Sequence, residues 1–260
     1  MIKFLAKGLI RDRSRSLFPL LTIIITVTLV IFGIGFMEGA MNNFLQSTAV
    51  ISSGHVKVVT KAYEKESSQL PNDLALFETN KIIQNLSDLY PNYFWTPRIT
   101  FGGLLDTPNE DGDTKEQAPV FGIGIDFHSK TSRQIEIWEL EKYLLHGNLP
   151  KNTNDALIST KLAKQLSVNV GSTVTLISTT MDNAFTTYNF KITGIFNLNK
   201  GQVDRQMMLV DISGARQALG MEGAASEILG YHQSLYYNDN EATSMPVSYT
   251  HLTLPTTKNV

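Results

Sequence analysis

The sequence contains no cysteine among its 260 residues. This absence excludes disulfide bridges, thiolate zinc sites and cysteine nucleophiles, but it does not indicate a cellular compartment. With a net charge of −2, the chain also lacks the positive field that attracts nucleic acid, so no nucleic-acid partner is expected. Walker A, HExxH and GxSxG motifs are absent as well, and the pair Gly122 and Gly124 lacks the third glycine of a dinucleotide-binding loop. We therefore expect no catalytic residue, no cofactor, no metal site and no enzyme activity.

Positive charge is concentrated at the start of the chain. Residues 1–16 carry a net charge of +4, whereas the rest of the chain carries −6. Three of the cations recur at every fourth position, which predicts an amphipathic helix lying on an anionic membrane surface, with an unstructured positive flank as the alternative. We assign five residues of this head to the membrane interface: Lys3, Lys7, Arg11, Arg13 and Arg15.

A long uncharged segment follows this head. The 22 residues from Ser16 to Met37 contain no charged side chain, and a bilayer core of about 30 Å needs about 20 helical residues. The segment therefore predicts a transmembrane helix over 17–37, with Pro19 in its first turn. A cleaved signal peptide and a buried core helix are the alternatives, but the segment is longer than the usual apolar region of a signal peptide.

The charge pattern also predicts the orientation of this helix. The cations precede the span and none occurs in the next 19 residues, so the positive-inside rule places the N-terminus in the cytoplasm and the acidic body outside. A cysteine introduced at Ser132 should then be labelled from outside the cell. Gly35 and Gly39 have the spacing that lets membrane helices pack closely, although helix-end glycines have the same pattern.

After the span, the sequence predicts an α+β fold. The helical spacing of Met41, Phe44 and Leu45 continues the helix as a stalk over 38–53, which Gly54 ends. The body begins with a strand over 55–60, a polar loop and a helix over 78–90. A strand over 93–105, broken at Pro97 and at Gly102-Gly103, and a strand over 119–126 follow. Later elements are a helical stretch up to 146, a helix over 157–168, strands at 172–178, 186–196 and 206–210, a helix over 212–219 and a strand from 227. Trp95 and Trp138 are expected to pack in the core.

Several of these segments resemble the permease subunits of bacterial type VII ABC transporters, the macrolide-exporter and lipoprotein-releasing kind (MacB- and FtsX-like). RDRSRS before the span and SSGHVKVVTKAY after the stalk are similar to that family's opening. The strongest likeness lies in LHGNLP, DALISTKLAKQLSVNVGSTVTLI and FKITGIFNLNKGQVDRQMMLVDISGARQALG. The resemblance covers about residues 1–235, and its motifs are structural rather than catalytic.

The resemblance implies a particular domain organisation. A porter-like subdomain would be split in sequence around an inserted β-rich subdomain. The expected parts are a cytoplasmic head (1–16), the transmembrane helix (17–37), the stalk (38–53), the first porter half (54–125), the inserted subdomain (126–223), the start of the second porter half (224–246) and a non-native tail (247–260).

The resemblance also implies a function and partners. A cytoplasmic ATPase would close on ATP, shift the membrane helices and so move the extracytoplasmic domains, for lipoprotein release or related export. Because 16 residues precede the span, we expect the ATPase on a separate subunit. The other expected partners are a second permease copy or paralogue in a dimer, the lipid membrane, and a periplasmic lipoprotein carrier or adaptor. The location would be the bacterial inner membrane. A single-span sensor or adhesin whose outer domain binds a ligand is the alternative.

The end of the chain departs from the family pattern. PVSYTHLTLPTTKNV resembles translated sequencing-adapter sequence, so we expect the natural sequence to stop near Met245. The chain would then be an N-terminal fragment that lacks three further membrane helices. We expect the tail to lie exposed with few contacts, and the strand near Ala225 to pair with the first porter half.

Overall fold

The computed structural model describes residues 13–48, 51, 53–108, 114–129, 132–198, 205–235 and 252–253. Contacts divide the chain into two compact units, Met1–Thr48 and Ala49–Val260. The second unit is called the body below.

The first unit contains one long helix, α1 (Arg13–Thr48). It runs through the predicted membrane segment and most of the predicted stalk. The stretch Leu17–Met41 has a mean hydropathy of 2.6 and none of it is buried, so by length and composition it can cross a membrane. Thr22 and Thr26 donate their hydroxyl hydrogens to carbonyl oxygens four residues earlier, at 2.9 and 2.8 Å, which satisfies these polar groups within the helix. Pro19 lies inside α1 rather than in its first turn, because the helix already includes Arg13.

The helices of the body are short. They are α2 (Lys61–Glu66), α3 (Thr79–Leu89), α4 (Gln134–Ile137), α5 (Leu140–Tyr143), α6 (Thr160–Gln165) and α7 (Ile212–Leu219), with 3₁₀ turns at Ser67–Gln69 and Asn72–Leu74. Helix α7 has clear local signals at both ends. The Asp211 carboxylate accepts a hydrogen bond from the Ser213 amide at 2.9 Å, and Gly220 takes the left-handed conformation at the C-terminal end.

Ten strands are described. They are β1 (Val56–Thr60), β2 (Tyr93–Pro108), β3 (Thr114–Ile125), β4 (Leu144–Gly147), β5 (Asp155–Ser159), β6 (Thr173–Thr179), β7 (Phe185–Phe196), β8 (Met207–Asp211), β9 (Glu227–His232) and β10 (Leu252–Thr253). Together with the helices they make the body an α+β domain, as predicted. The predicted strand near Ala225 corresponds to β9, which pairs with β1 and β2 as expected.

Strand pairing builds a barrel and an adjoining sheet. The path runs β10-β1-β9-β2-β3-β8-β5-β7-β4, and β6 pairs with both β2 and β7. Strands β2, β3, β8, β5, β7 and β6 therefore form a closed ring. The 16-residue strand β2 belongs to both parts: its first six residues pair with β9 and its later residues pair with β3 and β6.

Three apolar clusters fill the body. The largest lies between the barrel strands and helices α6 and α7 and includes Phe101, Phe190 and Ile158. A second contains Trp138 and Tyr231, and the third contains Trp95 and packs α3 against β1, β2 and β9. Trp95 and Trp138 are 6% and 1% exposed, which confirms that both pack in the core.

Two predicted helices were partly wrong. The segment 157–168 begins as strand β5, and only Thr160–Gln165 is helical. Strand β5 lies between β7 and β8, and such long-range pairing overrides a local helical pattern. The helical stretch before 146 consists of the two short helices α4 and α5, and it is followed by strand β4.

Two predicted irregular regions are regular in the structure. The loop after β1 contains α2, whose first turn is capped by the Thr60 hydroxyl accepting from the Tyr63 amide at 3.1 Å. Strand β2 continues through Pro97 and through Gly102-Gly103. A Cβ at Gly103 would lie 2.7 Å from the Ile177 carbonyl oxygen, so this glycine permits close strand approach instead of breaking the strand.

The tail also differs from expectation. Leu252 and Thr253 pair antiparallel with Thr60 and Val59 of β1, whereas we expected few contacts with the body. On the far side from β9, β1 presents backbone groups that an extended segment can bind, which accounts for this pairing. The remainder of 247–260 lies outside the described residues, as does the acidic loop 109–113.

The predicted boundaries of the subdomains stay predictions. Residues 49–260 form one compact unit by their contacts. Strands β2 and β3, on the N-terminal side of the predicted boundary at 125, pair with β6 and β8 on its C-terminal side.

Candidate functional site

Three charged residues, one from each of three adjacent strands, lie on one face of the sheet formed by β1, β9 and β2. Arg98 of β2 lies directly opposite Glu227 of β9, and directly paired residues point to the same face. Lys57 of β1 lies opposite Leu229, which is two residues after Glu227 and therefore also on that face. The strand register thus brings one carboxylate between two cations.

The distances show a tight ionic cluster. The Glu227 Oε1 atom accepts hydrogen bonds from Arg98 Nε at 2.6 Å and Nη2 at 2.5 Å, and Oε2 lies 2.9 Å from Lys57 Nζ. The side chains of Arg98 and Glu227 are 4% and 3% exposed. Such burial makes the pair dependent on its internal contacts, because water cannot replace them.

These surroundings determine the protonation of the carboxylate. Burial by itself would raise the pKa of Glu227, but the charges of Arg98 and Lys57 outweigh it and lower the pKa below its ordinary value. Glu227 is therefore ionised in the folded protein at neutral pH. Burial, and after it the negative charge of Glu227, raise the pKa of the nearby Tyr63 phenol, which keeps that hydroxyl neutral.

The cluster also binds the chain segment that precedes β1, which we call the junction segment (Ile51, Ser53, Gly54 and His55). Arg98 Nη1 donates to the Ile51 carbonyl oxygen at 2.8 Å. The His55 amide donates to the Gly230 carbonyl at 2.9 Å. Gly54 has a φ of +66°, and a Cβ there would lie 3.2 Å from the Leu229 Cβ. The segment is thus held against both β2 and β9.

His55 contributes a second polar contact to β9. Its Nδ1 accepts from the His232 backbone amide at 3.0 Å, and an amide can only donate, so Nδ1 carries no proton. Burial and, to a smaller extent, the nearby His232 together lower the pKa of His55 to about 4. The imidazole is therefore neutral at physiological pH. We call Lys57, Arg98, Glu227, His55 and His232, with the junction segment, the junction network.

An open cleft of about 640 Å³ lies elsewhere on the body. Its lining includes Phe127, His128 and Gln134 together with helices α4 and α5. Its charges are partly compensated within the lining, since Arg133 makes a two-pronged contact with Glu136 at 2.9 and 2.6 Å and Lys142 pairs with Glu139 at 2.8 Å. Among the described residues, no group of three histidine or acidic side chains that could bind a metal ion occurs.

The residues that the sequence analysis assigned to membrane contacts lie in the first unit. Lys3, Lys7 and Arg11 fall outside the described residues, and Arg13 and Arg15 belong to α1. Gly35 and Gly39 also lie in α1, and a Cβ at either position would meet no atom within 4 Å. Their role in helix packing stays a prediction.

Sequence reasoning did not identify the junction network. A signal was present, because Arg98 is the one charged residue in the predicted strand 93–105 and Glu227 is the one carboxylate in β9, and a charge on a buried strand requires a partner. The partner could not be named without the register of β2 and β9, whose residues are separated by 129 positions.

Comparisons with known proteins were made for the whole chain. A family model described as MacB-like periplasmic core domain matches residues 16–236. Among solved structures, the chain is similar to the periplasmic region of MacB from Actinobacillus actinomycetemcomitans, with 12% sequence identity and a TM-score of 0.45. That likeness covers 75% of this chain and 84% of the other. The search of curated proteins gave no match.

Proposed function

The chain belongs to the family of the MacB-like periplasmic core domain, and on that premise we propose that it transmits ATP-driven motion to an extracytoplasmic domain during lipoprotein release or related export. The family is that of ABC transporter permeases. The observation that carries the proposal is the match over residues 16–236, which includes the apolar segment Leu17–Met41 and the body up to residue 236.

The charge pattern supports an orientation with the N-terminus in the cytoplasm. The head carries +4 and the region after the span is acidic, and cations are retained on the cytoplasmic side. We place the body outside the inner membrane, where a lipoprotein substrate would be handled. Helix α1 crosses the membrane, and its span Leu17–Met41 is long enough for this.

The chain needs partners for this activity. Family membership implies a cytoplasmic ATPase and a dimer in the membrane. We propose that the ATPase is a separate subunit, that the second permease is a copy or paralogue of this chain, and that a periplasmic lipoprotein carrier or adaptor receives the cargo. The chain itself would neither bind nor hydrolyse ATP, since its sequence has no P-loop.

Reconstitution tests this function. The permease would be placed in proteoliposomes with its ATPase and a triacylated lipoprotein. We expect ATP hydrolysis to depend on the permease, and the lipoprotein to leave the vesicles only with ATP and an acceptor. ATP-dependent export of another cargo would support the assignment as a transporter but contradict lipoprotein release. An ATP hydrolysis rate that is the same with and without the permease would contradict the proposal. Micromolar ATP binding by the permease alone would contradict it as well.

A further inference from the structure

We propose that Arg98 is a positioning residue that anchors the junction segment to strand β2, so that movement of this segment is passed to the barrel. The anchoring contact is the hydrogen bond from Arg98 Nη1 to the Ile51 carbonyl oxygen, at 2.8 Å. Its role in transport rests on the proposed function, whereas the anchoring itself can be measured on the chain alone.

The charges in the junction network favour this role for Arg98. Lys57 contacts one oxygen of Glu227 at 2.9 Å, so this one cation already balances the negative charge of the carboxylate. The guanidinium brings a second positive charge into a buried place, where its side chain is 4% exposed. The Ile51 carbonyl oxygen accepts from Nη1, whereas Nε and Nη2 contact Glu227. The contact therefore lowers the cost of burying this charge.

The geometry of arginine is needed for this bridge. Its planar group donates from Nε and Nη2 to Glu227 and from Nη1 to Ile51. A lysine ammonium is a compact charge without this fixed fork, so one lysine at position 98 cannot keep both partners in the same geometry. Replacement by lysine would preserve the charge while removing the anchor.

Strand β2 provides the route from the anchor to the barrel. Arg98 is the last residue of β2 that pairs with β9, and Ile99 is the first that pairs with β3. Leu104, six residues after Arg98, begins the stretch Leu104 to Asp106 that pairs with β6 and completes the ring. Strand β2 is therefore paired with β9 up to Arg98, with β3 from Ile99 onward and with β6 as well at Leu104 to Asp106, so a displacement at Arg98 is passed along one continuous strand into the barrel. Along the chain, Ile51 follows the end of α1 at Thr48 by three residues.

The sharpest comparison uses Arg98→Lys with Lys57→Met as the matched control. The first variant retains both positive charges but removes the Nη1 group that donates to the Ile51 carbonyl oxygen. The second removes one cation from Glu227 and leaves the Arg98–Ile51 contact in place. A role limited to neutralising Glu227 predicts that Lys57→Met is the more damaging change, whereas an anchor predicts the reverse.

Hydrogen exchange on this chain in detergent tests the anchor directly. In Arg98→Lys, we expect the His55 amide, bonded to Gly230 at 2.9 Å, to exchange about tenfold faster because the segment opens locally more often. Amides of β7 and β8 should exchange as in the wild type in both variants. Unchanged exchange at His55 in Arg98→Lys would overturn the anchor, as would equal acceleration in Lys57→Met.

The transport assay then tests what the anchor does. In proteoliposomes, we expect Arg98→Lys to bind its ATPase normally but to lower ATP-driven release about tenfold, which is the range for coupling between sites. Lys57→Met should lower release less than Arg98→Lys does. Wild-type release by Arg98→Lys would overturn the coupling role. If the wild type itself shows no ATP-driven release, the proposed function fails, and the exchange measurement still decides whether Arg98 anchors the segment.

Discussion

At the scale of single residues, Glu227 shows what a buried charge requires. Its side chain is 3% exposed and its carboxylate contacts two cations. The desolvation cost of such a group often equals or exceeds the attraction between the partners, so the cluster is weak support for overall stability. Removing Glu227, however, leaves Arg98 buried without its counter-charge. The cluster therefore specifies the register of β1, β9 and β2 more than it stabilises the body.

Removing the carboxylate charge tests this reasoning. We expect Glu227→Gln to lower the free energy of unfolding by about 3 kcal/mol, because Arg98 then stays buried without its counter-charge. Urea unfolding followed by fluorescence of the buried Trp95 and Trp138 measures the change. The control is Glu136→Gln, which breaks the exposed pair with Arg133 and should have little effect. Equal small effects of both variants would show that the buried cluster tolerates an unpaired cation.

His55 predicts an acid-sensitive stability. Its pKa is lowered to about 4 from an ordinary value of 6.5, so the folded state binds fewer protons than the unfolded state between these values. The stabilisation is complete above pH 6.5 and is lost as pH falls toward 4, by up to about 3 kcal/mol. We expect His55→Gln to flatten the pH dependence of urea unfolding in this window. Replacement of the exposed His146 should leave the dependence as in the wild type. A wild-type slope in His55→Gln would contradict this assignment.

At the scale of secondary-structure elements, local signals decided which predictions succeeded. Helix α7 was predicted at its observed bounds because Asp211 and Gly220 mark both ends. Strand β5 was not recognised, because its apolar residues run directly into the helix that Ser159 caps. All five residues of β5 are buried, and a short buried strand has no periodicity that separates it from a helix.

The β2–β3 ladder predicts a strong response to one added methyl group. Gly122 lies opposite Phe101, and a Cβ there would be 2.1 Å from ring atoms of Phe101. We expect Gly122→Ala to cost about 2 kcal/mol of unfolding free energy through overpacking. Adding Phe101→Leu should recover part of this loss, because the smaller side chain makes room, so the double variant should be more stable than the sum of the single changes predicts. Additive losses in urea unfolding would argue against the clash.

At the scale of the whole molecule, the closed barrel could not be read from the sequence. Its closure depends on β6 pairing with both β2 and β7, and on the parallel pairing of β3 with β8. The β2–β6 and β3–β8 contacts join segments far apart in the chain, and no local pattern specifies these partners. The same limit applies to the junction network, whose members come from β1, β2 and β9. The apolar helix was predictable because its signal is local, in the length and composition of Leu17–Met41.

The orientation of the whole protein can be tested with cysteine labelling, since the chain contains none of its own. The position first considered, Ser132, is 3% exposed and its hydroxyl donates to the Asp126 carbonyl at 2.9 Å, so a cysteine there would react slowly on either side. Ala184, in the exposed turn between β6 and β7, is the better site. We expect Ala184→Cys to react with a membrane-impermeant maleimide in intact spheroplasts, because the cations before the span hold the N-terminus inside. Ser132→Cys should react only after unfolding. Protection of Ala184→Cys until lysis would place the body in the cytoplasm and reject the proposed function, whereas labelled protein released from the membrane by carbonate would identify the apolar segment as a cleaved signal.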